Sequence, residues 1–128
     1  MQSYEQVPHR LEQDHVDLAV EVFRMLADGT RVQILWRLLG GEVSVGTLAS
    51  AVDKAPTSVS QHLAKLRMAR LVVARREGTQ VFYRLADEHI GQLITDALHH
   101  AEHVGPGIPS HHLPAGRLTA VGQQDVDS

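Results

Sequence analysis

The residue pattern of the chain changes at Leu71. Over residues 57–68, just before this point, apolar side chains recur every three or four positions, as on one face of an α-helix. Residues 72–76 and 80–85 are instead rich in β-branched and aromatic side chains. Residues 77–79, which include a glycine, connect the two segments and predict a β-hairpin. The chain is therefore predicted to be mainly α with a small β-hairpin.

Five α-helices are predicted, four before the hairpin and one after it. Their limits come from polar residues that cap helix N-termini and from Gly and Pro residues that end helices. The first predicted helix begins at Asp14, the second runs from Arg31 to Leu39 behind the cap Asp28, and the third runs from the cap Ser44 through Val52. The fourth begins at Thr57 or Ser58. The fifth, after the hairpin, extends from about Asp87 to His103. They form one domain over residues 14–104, between a flexible segment at residues 1–13 and a flexible, histidine-containing tail at residues 105–128.

The composition limits the cellular location and the kinds of metal site that are expected of this chain. The chain has 128 residues and no cysteine, which excludes disulfides and thiolate metal sites. It has no apolar run near the roughly 18–20 residues of a membrane span, and its N-terminus lacks the basic and apolar pattern of an export signal. A cytoplasmic protein without a membrane partner is expected.

Basic residues are concentrated in one part of an acidic chain. The net charge is −3, yet seven of the twelve Lys and Arg residues fall between Lys54 and Arg84, where Glu77 is the only acid. After Leu85 the balance reverses, with six acids and only Arg117. A local basic block of this kind is typical of a phosphate-binding surface. A solvated helix face, the alternative, would mix both signs.

Two short helices joined by a tight turn and followed by a basic hairpin predict a winged helix-turn-helix. In that fold the second helix, here residues 57–68, enters the major groove of double-stranded DNA, and the hairpin contacts the backbone or the minor groove. The side chains expected to contact operator DNA are Thr57, Ser58, Ser60, Gln61, His62 and Lys65 from the helix, and Arg75 and Arg76 from the wing. For Ser58 and Ser60, an ordinary capping role is the alternative.

Three stretches together resemble a known family. Residues 22–35 (VFRMLADGTRVQIL), residues 58–67 (SVSQHLAKLR) and the hairpin with its Leu71-Val72 start are similar to the ArsR/SmtB family of bacterial metalloregulators, over about residues 15–104. The resemblance implies a homodimeric winged-helix repressor whose metal-free form binds its operator and whose metal-bound form releases it. We expect the homodimer to form through the first and last helices.

The histidines point to a metal site on the last helix. Six of the nine histidines fall within the last 40 residues. The cysteine-based sites that some family members use for arsenic, cadmium and lead are excluded here. Another family site on the last helix has the pattern Asp-x-His, ten residues, then His-x-x-His or His-x-x-Glu. Asp87, His89, His100 and His103 match this pattern.

The spacing of the pattern requires a dimer. His89 and His100 are eleven residues apart, which is about 16 Å along a helix, and metal–nitrogen bonds of about 2 Å cannot span it. Eleven steps of about 100° return to almost the same helix face. An antiparallel partner helix would therefore bring Asp87 and His89 against the partner's His100 and His103, in two symmetric sites. The alternative is a polar, solvated helix end.

The identity of the metal depends on further donors. One Asp and three His ligands suit tetrahedral zinc, whereas more donors would raise the coordination number toward six, which nickel(II) and cobalt(II) accept. A closer resemblance to the nickel- and cobalt-sensing members of the family implies the ligands His89, Glu102, His103, His111 and His112. Nickel or cobalt is therefore expected, with zinc as the alternative. The roles of Asp87 and His100 beside the tail histidines stay open, and His99 is a competing donor.

In the expected mechanism, metal binding at the last helices shifts the dimer to a shape that fits successive major grooves poorly. A coupling of about 1–3 kcal/mol would weaken operator binding several-fold to about a hundredfold. A hydrolytic metalloenzyme is disfavoured because no H-E-x-x-H or comparable arrangement is present, so no enzymatic activity is expected. A histidine-rich metal carrier would explain residues 99–112, but it leaves the basic block at residues 54–84 unexplained.

Overall fold

The structure is a computed structural model that describes residues 10–104. The elements are α1 (Gln13–Leu26), α2 (Gly29–Arg37) with a 3₁₀ turn at Leu38–Gly40, β1 (Val43–Ser44), α3 (Val45–Val52), α4 (Pro56–Met68), β2 (Val72–Glu77), β3 (Gln80–Leu85) and α5 (Glu88–Val104). The chain divides into two units, residues 1–94 and 95–128, and the described part of the second unit is the helical stretch 95–104. The predicted tail and most of the predicted N-terminal segment lie outside the described residues.

Two predicted caps open α2 and α3. The side chain of Asp28 accepts a hydrogen bond from the backbone N–H of Arg31 at 3.0 Å, and that of Ser44 accepts from Thr47 at 3.2 Å. Each cap satisfies a backbone donor that the first helical turn leaves without a partner. Both caps were predictable because each is adjacent in sequence to the helix it opens, although α2 begins at Gly29, two residues before the predicted Arg31.

The predicted start of α4 at Thr57 or Ser58 is wrong. The helix begins at Pro56, behind Ala55 as the N-cap residue, and no side chain provides a capping hydrogen bond. A proline at the first helical position needs no such help, because its φ is already fixed near the helical value and it has no N–H to satisfy. Neither Thr57 nor Ser58 therefore serves as the N-cap residue of α4.

The sheet has three strands rather than the two of the predicted hairpin. β2 and β3 pair antiparallel from Val72 opposite Leu85 to Glu77 opposite Gln80, so Glu77 belongs to β2 and not to the turn. β1 adds to the other edge of β3 and gives the order β1-β3-β2. β1 was not predicted from the sequence because a strand of two residues is too short to show an alternating pattern.

The core of the first unit holds α3 and α4 against α2 and the sheet. Its most buried side chains, at most 2% exposed, are Ile34, Leu35, Leu38, Leu48, Val59, Leu63, Leu66, Leu71, Val72 and Ile94. The start of α5 packs closely at Gly91, where an added Cβ would lie 3.3 Å from Leu39 and 3.4 Å from Leu85. The apolar face of α4 packs in this core, so the opposite face of the helix is held toward solvent.

No helix within residues 10–104 combines the length and apolar character that crossing a membrane requires.

Candidate nucleic-acid interface and metal centre

The outward face of α4 carries the predicted DNA-contacting residues. Val59, Leu63 and Leu66 are fully buried and fix the orientation of the helix. On the other sides of the helix, Thr57, Ser60, Gln61 and Lys65 are exposed, and Ser58 and His62 are half-buried. The face that remains in solvent is a row of small hydrogen-bonding groups with one lysine, which suits contact with base edges and phosphates.

His62 also has a partner inside the protein. Its Nδ1 lies 3.3 Å from Nη1 of Arg31, a side chain from the first turn of α2. Arg31 is buried, and its guanidinium also donates from Nε to the carbonyl of Met25 at 2.8 Å and from Nη2 to that of Arg24 at 3.4 Å. Through Arg31, the contact connects α4 to the end of α1. Sequence reasoning did not identify Arg31, because nothing local distinguishes it from a surface arginine.

Asp28 completes the surroundings of Arg31. Its Oδ2 lies 4.0 Å from Nη1 of Arg31, while its Oδ1 caps α2. Partial burial by itself would raise the pKa of Asp28, but the hydrogen bond from the backbone N–H of Arg31 and the charge of Arg31 outweigh it and lower the pKa below its ordinary value. Asp28 is therefore held in its charged form beside the buried guanidinium.

The wing carries one arginine that is paired and one that is not. Arg75 donates from Nη2 and Nε to the two carboxylate oxygens of Glu42 at 2.8 and 2.9 Å, and from Nη1 to Glu77 at 2.9 Å. Its guanidinium also lies over the ring of Phe82, 4.8 Å from the centroid. Within residues 10–104, no acidic side chain forms an ion pair with Arg76. Of the two predicted wing contacts, Arg76 is thus the one with a free charge.

The pairing shifts the pKa values of both partners. Hydrogen bonds from Arg75 hold the pKa of Glu42 below its ordinary value, and the bonds to Glu42 and then Glu77 raise the pKa of Arg75. Glu42 immediately precedes β1, so it reaches the wing only because β1 pairs with β3. Sequence reasoning missed this pair for the same reason that it missed β1.

A groove lies between α4 and the wing. Its polar lining comes from Ser60 of α4, Ser44 before α3, and Thr79 and Gln80 at the tip of the wing, and Val45, Gly46 and Val81 supply the rest. Gly78 forms the tip with φ of 62°, a conformation that glycine adopts without strain. Ser60 of α4 and the wing tip therefore line one groove.

The predicted metal donors lie along α5 and directly before it. His89, His100, Glu102 and His103 are exposed, and Oδ1 of Asp87 accepts a hydrogen bond from the backbone N–H of Ile90 at 3.1 Å, which leaves Oδ2 for another partner. His100 and His103 lie within about 60° of each other around the helix, whereas Glu102 is about 160° from His100. His111 and His112 lie outside the described residues.

The donors within residues 10–104 do not form a complete metal site in one chain. Among the described residues, no group of three or more His, Asp or Glu side chains is placed to hold a metal ion. The exposed imidazoles and carboxylates are nevertheless the donor types that zinc, nickel and cobalt accept.

Comparison with known proteins agrees with this geometry. The model of the arsR family of bacterial regulatory proteins matches residues 28–73. The transcriptional regulator KmtR of Mycobacterium tuberculosis is 61% identical over 91% of this chain and 89% of its own, and NmtR of the same organism is 38% identical over 71% and 76%. Among solved structures, the homodimeric winged helix-turn-helix DNA-binding domain Mb0332 from Mycobacterium bovis superimposes with a TM-score of 0.66 at 34% identity, covering 75% of this chain and 91% of that one. HlyU from Vibrio cholerae gives a TM-score of 0.63 at 37% identity, covering 70% and 96%.

A hairpin wing in a three-stranded sheet, beside a helix with an outward-facing polar surface, defines a winged helix-turn-helix transcriptional regulator that binds DNA. The chain belongs to the arsR family of bacterial regulatory proteins. The predicted family, the predicted mainly α winged-helix fold and the predicted role in transcription regulation are thereby confirmed.

Proposed function

We propose that the protein is a homodimeric repressor that binds operator DNA in its metal-free form and releases it when nickel(II) or cobalt(II) binds at α5. The observation that carries the proposal is the combination of a polar recognition surface on α4 with exposed imidazole and carboxylate donors at metal-ligand spacing along α5. A regulator of this kind acts on DNA in the bacterial cytoplasm.

An uncovered apolar face on α1 supports the homodimer. Val20 and Phe23 lie about 60° apart around the helix and are 45% and 62% exposed, far more than apolar side chains of this size in a core. Pairing of α1 and α5 with their copies in a second protomer would remove these side chains from water. The structural relative Mb0332 is a homodimeric domain of the same fold. A symmetric dimer also presents two recognition helices, as a two-fold symmetric operator requires.

On DNA, α4 reads the major groove and the wing contacts the phosphate backbone. The residues assigned to the major groove are Thr57, Ser58, Ser60, Gln61, His62 and Lys65. Arg76 carries the wing contact with phosphate, because its charge is not already paired within residues 10–104. Arg75, neutralised by Glu42 and Glu77, holds the wing in position instead.

The metal site bridges the two protomers. Asp87 and His89 of one protomer and His100 and His103 of the other form its centre, because one helix cannot bring donors eleven residues apart to a single ion. The cadmium resistance regulator CadC homolog of Staphylococcus aureus, 37% identical over 73% of this chain and 77% of its own, shows that a relative is named for a metal response. This chain has no cysteine, so its own response must use imidazole and carboxylate donors.

The proposed preference for nickel or cobalt rests on donors beyond these four residues. Glu102, His111 and His112 supply one more carboxylate and two more imidazoles, enough for six-coordination, which both ions accept. Glu102 lies about 160° from His100 around α5, so within one protomer it would join the site as an alternative to His100. With the four central donors alone, the site would favour tetrahedral zinc.

His89 of one protomer and His103 of the other would hold one ion between the two α5 helices. A metal crosslink at these residues would limit the freedom of the dimer to adjust the distance between its two α4 helices. A metal-bound population with poorer half-site spacing then dissociates from the operator, and the coupling free energy sets how far affinity falls.

The test is fluorescence anisotropy of the full chain on DNA from its own upstream region, without metal and with nickel, cobalt or zinc. Tight metal-free binding that nickel or cobalt weakens by about tenfold or more is expected. Release by zinc alone would reject the nickel/cobalt assignment. Absence of any sequence-specific DNA binding would reject the repressor and favour a histidine-rich metal carrier.

A further inference from the structure

The contact between Arg31 and His62 determines which nitrogen of the imidazole is free. A guanidinium has only donors, so Nη1 of Arg31, 3.3 Å from Nδ1 of His62, must donate to that nitrogen. Nδ1 then has to be an unprotonated acceptor. A neutral imidazole carries one proton, which must reside on Nε2.

Arg31 is itself held in place, so it fixes the tautomer of His62 rather than adapting to it. Hydrogen bonds to the carbonyls of Met25 and Arg24 orient the guanidinium at the end of α1. The side chain is buried, at 9% residue exposure, which excludes water as a competing partner for most of its surface.

The remaining N–H of His62 points away from Arg31. One ring carbon separates Nε2 from Nδ1, and the outward directions of the two nitrogens form a wide angle, so the Nε2–H bond does not face the guanidinium. Within residues 10–104, no group of the chain accepts a hydrogen bond from it. His62 is half-buried on α4, between the exposed side chains of Gln61 and Lys65. Its free donor therefore belongs to the recognition surface.

We propose that His62 is a specificity-determining residue whose Nε2–H donates to the acceptor edge of a guanine in the major groove, and that Arg31 is the positioning residue that fixes this tautomer. Guanine is the target because N7 and O6 place two acceptors side by side, whereas adenine follows its N7 acceptor with an amino donor. This inference rests on the proposed binding of operator DNA by α4.

The two amide substitutions separate the two nitrogens of the imidazole. In His62→Asn the side-chain oxygen can still accept from Arg31, but no donor reaches as far as Nε2. In His62→Gln the amide NH₂ reaches the position of Nε2, while the contact with Arg31 is lost. Arg31→Lys keeps a buried positive charge but removes the planar group that holds the imidazole.

The experiment uses full-length, metal-free protein and a duplex selected by the wild type from a random library. Anisotropy is measured on the selected duplex, on duplexes with each G·C replaced in turn by A·T, and on duplexes with 7-deazaguanine, which lacks the N7 acceptor. Thermal unfolding of each variant confirms that it is folded. Replacement of one guanine per half-site should weaken wild-type binding by about fivefold or more.

The proposal requires that the loss of affinity on the 7-deazaguanine duplex disappear in His62→Asn, persist in His62→Gln and shrink in Arg31→Lys. Equal loss of affinity for every duplex, with a lower salt dependence, would overturn it and place His62 on a phosphate. A selected sequence in which no guanine depends on His62 would overturn this inference alone. If the wild type selects no sequence at all, the proposed operator binding fails together with it.

Discussion

Arg75 on the wing and Glu42 before β1 form a bidentate ion pair, with N–O distances of 2.8 and 2.9 Å. The same guanidinium binds Glu77 and covers the ring of Phe82. The pair connects the loop before β1 to the wing and neutralises an arginine that the sequence assigned to DNA contact. Both side chains are partly exposed to solvent, so their importance lies in position and charge rather than in stability.

Glu42→Gln is predicted to strengthen binding to DNA of random sequence, because Arg75 becomes free to contact a phosphate. The slope of log affinity against log salt should steepen by up to about 0.9 per additional phosphate contact in each protomer. Anisotropy titrations over a series of salt concentrations measure it. Glu77→Gln, which removes the charge of the carboxylate that accepts one of the three hydrogen bonds of Arg75, serves as the matched control with a smaller effect. Equal slopes in wild type and Glu42→Gln would contradict the assignment.

Asp28→Ala is predicted to lower the free energy of unfolding by about 1 kcal/mol, because the N-cap of α2 is lost. Asn also caps well, so Asp28→Asn should lose less at neutral pH. Urea unfolding of both variants beside the wild type measures the difference. If alanine and asparagine are equally destabilising, the capping role is wrong.

The pH dependence of stability provides a second prediction for Asp28. Its pKa is lowered on folding, so its charged form contributes stability that is complete above the ordinary pKa of 3.8 and is lost as the pH falls through the folded value. Asp28→Asn should therefore lie closer to the wild type in acid than at neutral pH. Urea midpoints from about pH 6 down to about pH 3 test this. A gap that does not narrow in acid would contradict it.

Phe23→Glu is predicted to dissociate the homodimer. Two Phe23 side chains leave the interface per dimer, at about 1.5 kcal/mol or more each, so the dimer Kd should rise by at least about a hundredfold. Analytical ultracentrifugation over a dilution series measures it. Met68→Glu changes another exposed apolar residue, 85% exposed at the end of α4, and should remain dimeric. Dissociation by both variants, or by neither, would contradict an interface on α1.

Metal binding should be recovered in mixed dimers. His89→Ala and His103→Ala each remove one half of both bridging sites, so each homodimer should lose tight nickel binding. A dimer of one His89→Ala chain and one His103→Ala chain retains a site with both halves intact, and should bind about one ion where the wild type binds about two. Nickel titration of co-expressed, doubly tagged dimers measures the stoichiometry. No recovery in the mixed dimer would show that the site does not bridge protomers.

The sequence predicted the structural features formed by residues close together in the chain, and it did not predict the contacts between distant residues. The caps Asp28 and Ser44 and the β2–β3 hairpin were predictable because partners within a few residues define them. The contacts of Arg31 with His62 and of Arg75 with Glu42 join residues 31 and 33 positions apart, and only the packed core brings them together. The role of His62 therefore became specific only when its neighbour was known.

For the metal site the opposite holds. The spacing of Asp87, His89, His100 and His103 is a property of one helix and is visible in the sequence. In the proposed site, the remaining donors come from a second protomer and from His111 and His112, which lie outside the described residues. The ligand set therefore remains a prediction.

Operator release is the measurement that tests the coupling between α5 and α4 most directly. Nickel is titrated into complexes of operator DNA with wild type, with the double variant His89→Ala/His103→Ala, and with Gln92→Ala, which changes an exposed residue of α5 outside the proposed donor set, as a control. The wild type and Gln92→Ala should lose affinity by about tenfold or more, whereas the double variant should stay bound at every nickel concentration. Release of the double variant at the same nickel concentration as the wild type would contradict control of DNA binding by these histidines.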